Sequence, residues 1–350
     1  MNKSLFYFIF MIAFCTISLF SQTEKLNAQD YYEQAESFFS QGNYEKAIEI
    51  SKKALLKDSK LYEVRLLLAK SYMKKGLLAS AEKACNTLIS QQKDNAEAYF
   101  ILGEIYIQQK KFDNAIETYL KSIKHNNENA LAYYGLATAY YEKHDRYCDN
   151  DAINAYNKAI ELEPNMWEAY LGLGNLYKFR QNFDKAEECY ENLVDIKKDY
   201  IDGYLLLGDV YRRQQDYSVA ISTFNKIFNF EKDRAEALLN IGLCYKDENN
   251  LEQAMDYFTK ALEKKPQYAE AYFNMGYIYA RKGNYDMAIK YYEDATTIKK
   301  DYADAYYNLG NAYNMKGMHQ KKIAAYKKAA RNGSILAQQW LKKNNMNWDQ

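Results

Sequence analysis

The side chains that most often carry out chemistry are scarce in this chain. The three histidines, His125, His144 and His319, are not paired with one another or with a cysteine at the spacing of metal ligands. The five cysteines include no Cys-x-x-Cys pair, so neither a zinc site nor a redox pair is indicated. We therefore expect the cysteines to act mainly as small buried apolar residues.

Two short stretches resemble fragments of functional sites. One segment crowds five polar or thiol side chains together: His144, Asp145, Cys148, Asp149 and Asp151. Acidic loops usually stay hydrated, so we expect a solvated loop there and no metal. Gly172-Leu173-Gly174 looks like part of a phosphate-binding loop, but both glycines fall inside a predicted helix, where packing explains them. The sequence thus predicts no cofactor, no metal site and no catalytic residues, and we expect a protein that is not an enzyme.

The charge balance excludes some partners. Lys and Arg number 47 and Asp and Glu number 46 among the 350 residues, so no net charge favours nucleic acid or an anionic membrane. The chain holds 36 Tyr but only 2 Pro and 14 Gly, which leaves little material for sheets with tight turns. Tyr combines a large apolar ring with a polar tip and suits half-buried positions and contact surfaces.

The first 21 residues differ from the rest. Lys3 precedes an apolar run over residues 5–20, which is shorter than the roughly 20 residues of a spanning helix. This pattern predicts a signal peptide (residues 1–21) and an exported mature chain, periplasmic or secreted. One alternative is an uncleaved membrane anchor formed by residues 5–20. A lipoprotein with an acylated Cys15 is disfavoured, because Phe14 occupies the place before it, where a small residue is expected.

From Ala28 the chain repeats itself every 34 residues. Nine blocks cover Ala28 to Leu336, and only the fourth is longer, by three residues between its two predicted helices. The blocks are residues 28–61, 62–95, 96–129, 130–166, 167–200, 201–234, 235–268, 269–302 and 303–336. A period of this length indicates a stack of similar supersecondary units.

Certain positions of the repeat keep their residue type. Position 8 is Gly or Ala in all nine blocks, position 11 is aromatic in all nine, position 20 is Ala in eight, and position 24 is aromatic in seven. The spacing of positions 4, 7, 8 and 11, and of 17, 20, 21, 24, 27 and 28, predicts two helices per block. A turn such as Gly283-Asn284-Tyr285 separates them, and small residues at positions 8 and 20 allow the helices to approach closely.

This skeleton resembles the tetratricopeptide repeat. The motif residues are Tyr170, Leu173, Gly174, Tyr177, Ala186 and Tyr190, with Pro164 and Pro266 at the repeat ends of other blocks. The resemblance covers all nine blocks. It implies an all-α fold, a right-handed α-solenoid (superhelix) of antiparallel helix pairs, and a role in binding.

The end of the array departs from the pattern. Lys322 replaces the position-20 Ala of the ninth block, so we expect either that this pair opens or that the lysine stem extends out to solvent. Residues 335–345 predict a capping helix with Ser334 as its N-cap. Its expected core-facing residues are Leu336, Trp340 and Leu341. Residues 346–350 are expected to be a frayed tail.

In the family that the chain resembles, first helices line the concave surface, where ligands bind. Positions 2, 5, 6, 9, 12 and 13 do not face the predicted core. The candidate groove residues are Asn175, Asp202, Leu205, Asp209, Glu236, Asn240, Glu270, Phe273, Asn274, Asp304, Tyr307, Asn308 and Asn311. A basic rim is expected at Arg212, Arg213, Lys246 and Arg281. An Asn amide donates and accepts, so a row of them suits an extended peptide backbone; the alternative is that each is an ordinary solvated helix residue.

The partner is expected to be a protein or peptide. Some members of the family bind the C-terminal tail of a chaperone through a carboxylate clamp that uses Lys at position 5. No block here has Lys at that position, so this function is disfavoured. A ligand of mixed charge fits the acidic position 2 and the basic rim better than an anionic one. The sequence predicts a non-catalytic interaction scaffold or adaptor. The alternative is a structural element of the envelope that self-assembles or is anchored in the membrane.

Overall fold

The computed structural model describes residues 26–143 and 149–348, and within these ranges it contains nineteen α-helices and no strand. The predicted signal peptide lies outside the described residues, as do His144, Asp145 and Cys148. None of the described helices is long and apolar enough to cross a membrane.

Helices alternate between a first and a second member of each pair. The first members are α1 (Ala28–Ser40), α3 (Tyr62–Lys74), α5 (Ala96–Gln108), α7 (Ala130–Glu142), α9 (Trp167–Phe179), α11 (Ile201–Arg213), α13 (Ala235–Asp247), α15 (Ala269–Arg281) and α17 (Ala303–Met315). The second members are α2 (Tyr44–Lys57), α4 (Leu78–Gln91), α6 (Phe112–His125), α8 (Asp149–Leu162), α10 (Phe183–Ile196), α12 (Tyr217–Lys226), α14 (Leu251–Lys264), α16 (Tyr285–Ile298) and α18 (His319–Arg331). Helix α12 continues as a 3₁₀ turn, Ile227–Asn229, and α19 (Ile335–Lys343) follows the last pair.

Each first helix begins at the first residue of a 34-residue block and ends with the same turn. Repeat position 15 has a positive φ in every block whose turn is described. It is Gly42 in the first block and Gly283 in the eighth, but Gln215 (φ +71°) in the sixth. In four of the described turns the next residue is Asn and caps the second helix: the side-chain oxygen of Asn284, for example, accepts a hydrogen bond from the backbone N–H of Met287 at 3.2 Å.

The small residue at position 8 receives an aromatic ring from the second helix. An ideal Cβ on Gly276 would lie 2.7 Å from the Tyr292 ring, and one on Gly310 would lie 2.5 Å from the Tyr326 ring. The helices of a pair are therefore held as close as a ring against a bare backbone allows. The fourth repeat differs, since position 8 there is Ala137. The ring of its Tyr156 instead approaches Gly172 of the fifth repeat, where a Cβ would lie 2.5 Å away. Packing thus accounts for Gly172, as the sequence predicted.

The chain divides into two compact units, and the boundary falls inside α9. The first comprises residues up to Leu176 and the second runs from Tyr177. Each is a stack of antiparallel helix pairs. In the last pair of the second unit, for example, Tyr326 bonds to Asn311 while Lys322 bonds to Asn314, so a later residue of the first helix meets an earlier one of the second.

The last pair stays closed around Lys322. The lysine stem extends outward, which is the second of the two alternatives expected from the sequence. Its Nζ lies 3.1 Å from Asn314 Oδ1 and 4.8 Å from the Trp340 ring centroid. Ser334 caps α19 by accepting a hydrogen bond from the backbone N–H of Ala337. The expected burial of Leu336 is wrong: Leu336 is 58% exposed and Ala337 is buried instead, while Leu341 is buried as expected.

The expected fraying of the tail is also wrong for residues 346–348. Met346 and Trp348 pack against the core of the last pair. The backbone carbonyl of Trp348 accepts a hydrogen bond from Arg331 Nε at 2.6 Å. The tail is held because both side chains are large and apolar, a feature that outweighs the general tendency of chain ends to be disordered.

Candidate partner-binding surface

Sixteen of the seventeen candidate residues lie in the second unit, on the first helices α11, α13, α15 and α17. Asn175 lies on α9 within the first unit and is not part of the surface described below. Because the same repeat positions recur on consecutive helices, side chains from neighbouring repeats meet. We call repeat positions 2, 5, 6, 9, 12 and 13 of α11, α13, α15 and α17 the first-helix face of the second unit.

A network of charged side chains joins neighbouring repeats on this face. The Arg212 guanidinium donates to Asp209 Oδ1 at 3.0 Å on its own helix and to Asp247 Oδ2 at 2.5 Å on α13. Asp209 also accepts from Lys178 Nζ at 2.8 Å and from Arg213 Nε at 3.1 Å. The side chains of Asp209 and Arg212 are only 18% and 20% exposed, so these charges interact more strongly than those of a fully solvated pair.

The network continues onto α15 through Lys246. Its Nζ lies 3.8 Å from Asp247 Oδ1, donates to Asn274 Oδ1 at 3.0 Å, and stands 5.7 Å from the Tyr277 ring centroid. With Lys178 at the end of α9, side chains from four consecutive first helices, α9, α11, α13 and α15, are therefore joined in one chain of polar contacts.

The pKa values of the network follow from this geometry. Burial raises the pKa of Asp209, but hydrogen bonds and charge from Lys178 and Arg213 lower it by more, to about 2. Burial lowers the pKa of Arg212, but its hydrogen bonds to Asp247 and Asp209 and their negative charges raise it by more, so the net shift is upward. Burial lowers the pKa of Lys246, and the nearby Arg212 charge adds to that effect. Asp209 therefore remains a carboxylate at any pH near neutrality.

Positive charge exceeds negative charge in the network. Four cations (Lys178, Arg212, Arg213 and Lys246) face two carboxylates (Asp209 and Asp247). The accessible cation of the network is Arg213, whose side chain is 48% exposed. The network is thus chemically suited to accept one further anionic group.

The predicted row of Asn side chains is built differently from expectation. The amide nitrogens of Asn240, Asn274 and Asn308 donate to the backbone carbonyl four residues earlier on their own helices, at 2.7–2.9 Å. Asn274 is only 6% exposed, so the expectation that it faces outward is wrong. Its carbonyl is occupied by Lys246, a long side chain that reaches it from the preceding repeat.

The acidic row at position 2 is not an open stripe either. Glu236 lies 2.9 Å from Arg234 and 3.5 Å from Lys265, and Glu270 lies 3.6 Å from Lys299. Asp202 lies 3.6 Å from Arg234. Only the pair of Arg234 with Glu236 joins two repeats; the other bases come from the end of the acid's own repeat, so the acids are largely neutralised within their repeats.

The position-5 residues sit partly in the core. The Phe273 ring packs on Tyr292 at 5.8 Å and on Tyr302 at 5.1 Å, and the Tyr307 ring stacks on Tyr326 at 5.5 Å. Leu205 is half-buried at the same position of α11. These side chains present the apolar part of the first-helix face at fixed positions, since rings on both sides hold them.

The remaining candidates differ in their contacts and exposure. Asn311 accepts a hydrogen bond from the Tyr326 hydroxyl at 2.6 Å, so its oxygen supports the ninth repeat. Arg281 and Asp304 are exposed at opposite ends of their helices.

Sequence reasoning missed two members of the network, Lys178 and Asp247. A signal for the first was present, because position 12 is basic in three consecutive repeats, at Lys178, Arg212 and Lys246. Asp247 follows at position 13 of the third of these repeats, where only basic residues had been considered. The pairing itself depends on which positions of adjacent helices meet, and a period in the sequence does not give that.

Models of known families match this architecture along most of the chain. Descriptions reading "Tetratricopeptide repeat" and "TPR repeat" together match residues 38–143, 149–233 and 235–332. The chain belongs to the tetratricopeptide repeat family. The predicted resemblance is thereby confirmed, as is the all-α solenoid fold class.

Two curated relatives illustrate how widely the repeat occurs. Human protein O-mannosyl-transferase TMTC1 is 23% identical over 157 residues, 44% of this chain and 18% of that protein. The formate-dependent nitrite reductase complex subunit NrfG of Escherichia coli O157:H7 is 26% identical over 108 residues, 31% of this chain and 54% of that subunit. The alignments thus span less than two thirds of the length of these relatives.

Among solved structures, the chain is similar to YrrB, described as a TPR protein with an unusual peptide-binding site. That likeness has 26% identity over 54% of this chain and 96% of that one, with a TM-score of 0.43. A tetratricopeptide repeat protein from Parabacteroides merdae covers 75% of this chain and 98% of its own length at 20% identity, with a TM-score of 0.49.

Proposed function

We propose that the second unit binds a segment of a partner protein across the first-helix face of α11, α13, α15 and α17, without catalysis. Membership of the tetratricopeptide repeat family supports a role in protein–protein interaction. The observation that carries the specific proposal is the uncancelled positive charge of the network around Arg212, next to apolar side chains held at fixed positions. The E. coli relative is named as a subunit of a complex, which is in line with such a role.

The chemistry of the face describes the segment it would fit. A carboxylate of the partner would lie near Arg213, whose side chain is 48% exposed and whose guanidinium bonds Asp209 through Nε and lies 5.9 Å from the Phe183 ring centroid. Apolar side chains of the partner would lie against Leu205, Phe273 and Tyr307. The partner segment is therefore mixed in character, with an acidic residue flanked by apolar ones.

Charge reversal tests this proposal. Arg213→Glu combined with Arg281→Glu is expected to reduce capture of partner proteins from an extract at least fivefold, because both side chains are exposed and face the segment. The matched control, Lys260→Glu with Lys290→Glu, changes two exposed lysines on the second helices α14 and α16 and should leave capture unchanged. Equal capture by all three proteins contradicts the proposal.

We also propose that the mature chain is exported after removal of residues 1–21. The charged start and the 16-residue apolar run support this. Mass spectrometry of the N-terminus tests it, since intact Met1 in a cytosolic fraction would contradict export. An intact Met1 in a membrane fraction would indicate the anchor formed by residues 5–20.

A structural role through self-assembly is the second candidate. Ile335 and Leu336 at the start of α19 are 66% and 58% exposed, and another copy of the chain would cover them. Light scattering on the mature chain separates the two roles, because a stable monomer at high concentration counts against self-assembly.

A further inference from the structure

The end of the array carries a charge that the rest of the chain does not share. Residues 305–348 contain eight Lys and Arg residues and no Asp or Glu, although the two classes are balanced in the whole chain at 47 and 46. The last repeat and α19 are therefore strongly basic, although the net charge of the whole chain is close to zero.

Two of these lysines lie free of acids on the second helix α18. In the part of the chain that the structure describes, no carboxylate lies within 4.0 Å of Lys321 or Lys328. By contrast, Lys316 lies 2.8 Å from Asp286, and Lys260, on the second helix two repeats earlier, lies 2.7 Å from Asp256. The basic charge of Lys321 and Lys328 is thus available to a ligand.

Both lysines stand at the rim of an open cleft of about 490 Å³ between α16 and α18. Leu309 and Ala325, which are buried, form its apolar floor. Lys321 Nζ lies 5.4 Å from the Tyr313 ring centroid and Lys328 Nζ lies 5.4 Å from the Tyr306 ring centroid. The rings support the lysine stems, so the two cations hold their places before any ligand arrives.

The opposite wall carries one acid. The Tyr313 hydroxyl donates a hydrogen bond to Glu293, which lines the cleft from α16. This carboxylate repels a ligand that is acidic on every side. A ligand must direct its acids toward α18 and a neutral or hydroxyl-bearing side toward Glu293.

The paired lysines are not a requirement of the repeat. They occupy positions 19 and 26, and in the second to eighth repeats these two positions are never both basic; in the eighth they are Met287 and Asp294. The first repeat does hold two lysines there, but one of them, Lys53, is paired with Glu49 at 2.6 Å. Packing of the repeat therefore does not explain the pair.

We infer that the cleft between α16 and α18 binds an acidic peptide segment, with carboxylates on Lys321 and Lys328 and a small apolar side chain on Leu309. The two lysines are seven residues apart on one helix, roughly 10 Å along its axis. A polyproline II segment rises about 3.1 Å per residue with three residues per turn, so two acids three residues apart lie on one face and about 9 Å apart. The two lysines lie on a second helix, and the residues that α17 contributes to the cleft, Tyr306, Leu309 and Tyr313, are not among the candidates of the first-helix face, so the two sites are distinct.

Fluorescence anisotropy with a synthetic probe tests the inference. The probe is a fluorescein-labelled peptide with the core Glu-Leu-Ala-Glu between Gly-Ser flanks, and the control probe carries Gln in place of both Glu. Lys321→Gln with Lys328→Gln is expected to raise the Kd of the acidic probe at least tenfold. Lys342→Gln with Lys343→Gln removes the same charge from α19, outside the cleft, and should change the Kd less than threefold. Both pairs are exposed, and circular dichroism checks that the helices are retained.

Three results would overturn the inference. Equal weakening by both pairs would show general attraction to a basic surface. Absence of probe binding at millimolar concentration would show that the cleft takes no such segment. Binding of phosphatidylglycerol vesicles that depends on Lys321 and Lys328, without peptide binding, would assign the surface to lipid instead. The variant Arg213→Glu with Arg281→Glu should bind the probe as the natural protein does, so failure of the first-helix proposal would be seen separately.

Discussion

Arg212 of the sixth repeat and Asp247 of the seventh are joined by a charge-assisted hydrogen bond of 2.5 Å, and Asp209 holds the other side of the same guanidinium. One side chain thus fixes the relative position of two neighbouring first helices. The same side chain is at the centre of the surface that we propose binds a partner. Stability and function are therefore linked at this position.

Loss of the acid in this pair should destabilise the second unit. Asp247→Asn leaves the largely buried Arg212 with a weaker acceptor, and we expect a loss of about 1–3 kcal/mol in the free energy of unfolding. The measurement is urea unfolding followed by circular dichroism. The control is Asp256→Asn, whose partner Lys260 is 48% exposed, and it should cost less than about 0.5 kcal/mol. Equal effects of the two variants would mean that Arg212 does not depend on Asp247.

Stability should also depend on pH through Asp209. Its pKa in the folded protein is about 2, below the ordinary value of 3.8, so the unfolded chain binds its proton more readily. The stabilisation is present above pH 4 and is lost as the pH falls through about 2. The stability difference between the natural protein and Asp209→Asn should shrink by about 2 kcal/mol between pH 5 and pH 2. A difference that stays constant across this range would show that the Asp209 pKa is not depressed.

Replacing Gln215, in the turn between the helices of the sixth pair, by glycine should stabilise the protein. Gln215 has a φ of +71°, a conformation that costs an ordinary side chain about 1–2 kcal/mol. Gln215→Gly relieves that cost and adds some freedom to the unfolded chain, so we expect a net gain of about 0.5–1 kcal/mol. Asn249→Gly, at the same position of the next repeat, should change stability less, because Asn adopts positive φ more easily. Chemical denaturation of both variants measures the difference.

Substitution of a position-8 glycine should push the helices of a pair apart. A Cβ on Gly276 would lie 2.7 Å from the Tyr292 ring, and Gly276→Ala is expected to cost about 1–3 kcal/mol. The second repeat shows the compatible alternative, since Ala69 there is matched with Cys85 at position 24. In a double-mutant cycle, Tyr292→Cys should therefore remove most of the cost of the alanine. Additive effects would show that the two residues do not interact.

The fold was predictable from the sequence because packing in a repeat is local. Gly276, Tyr279 and Ala288 occupy positions whose residue type recurs, and the helix starts follow the 34-residue blocks. The surface was predictable only in part. Asn240, Asn274 and Asn308 share one repeat position, yet Asn274 alone is buried, because Lys246 reaches it from the preceding repeat. Likewise, the acids at position 2 were identified, but their bases Arg234, Lys265 and Lys299 were not. Periodicity gives the face on which a side chain lies; its partner depends on how neighbouring helices are offset.

Site-specific photo-crosslinking tests the proposed binding face most directly. A benzoylphenylalanine residue placed at Arg281 or Asn308 probes the first-helix face, and the same residue at Lys260 or Lys290 probes the second helices. In cells that produce the full chain, we predict a discrete adduct with a partner protein from the first two positions and none from the other two. Adducts from Lys260 or Lys290 alone, or equal adducts from all four positions, would contradict the account.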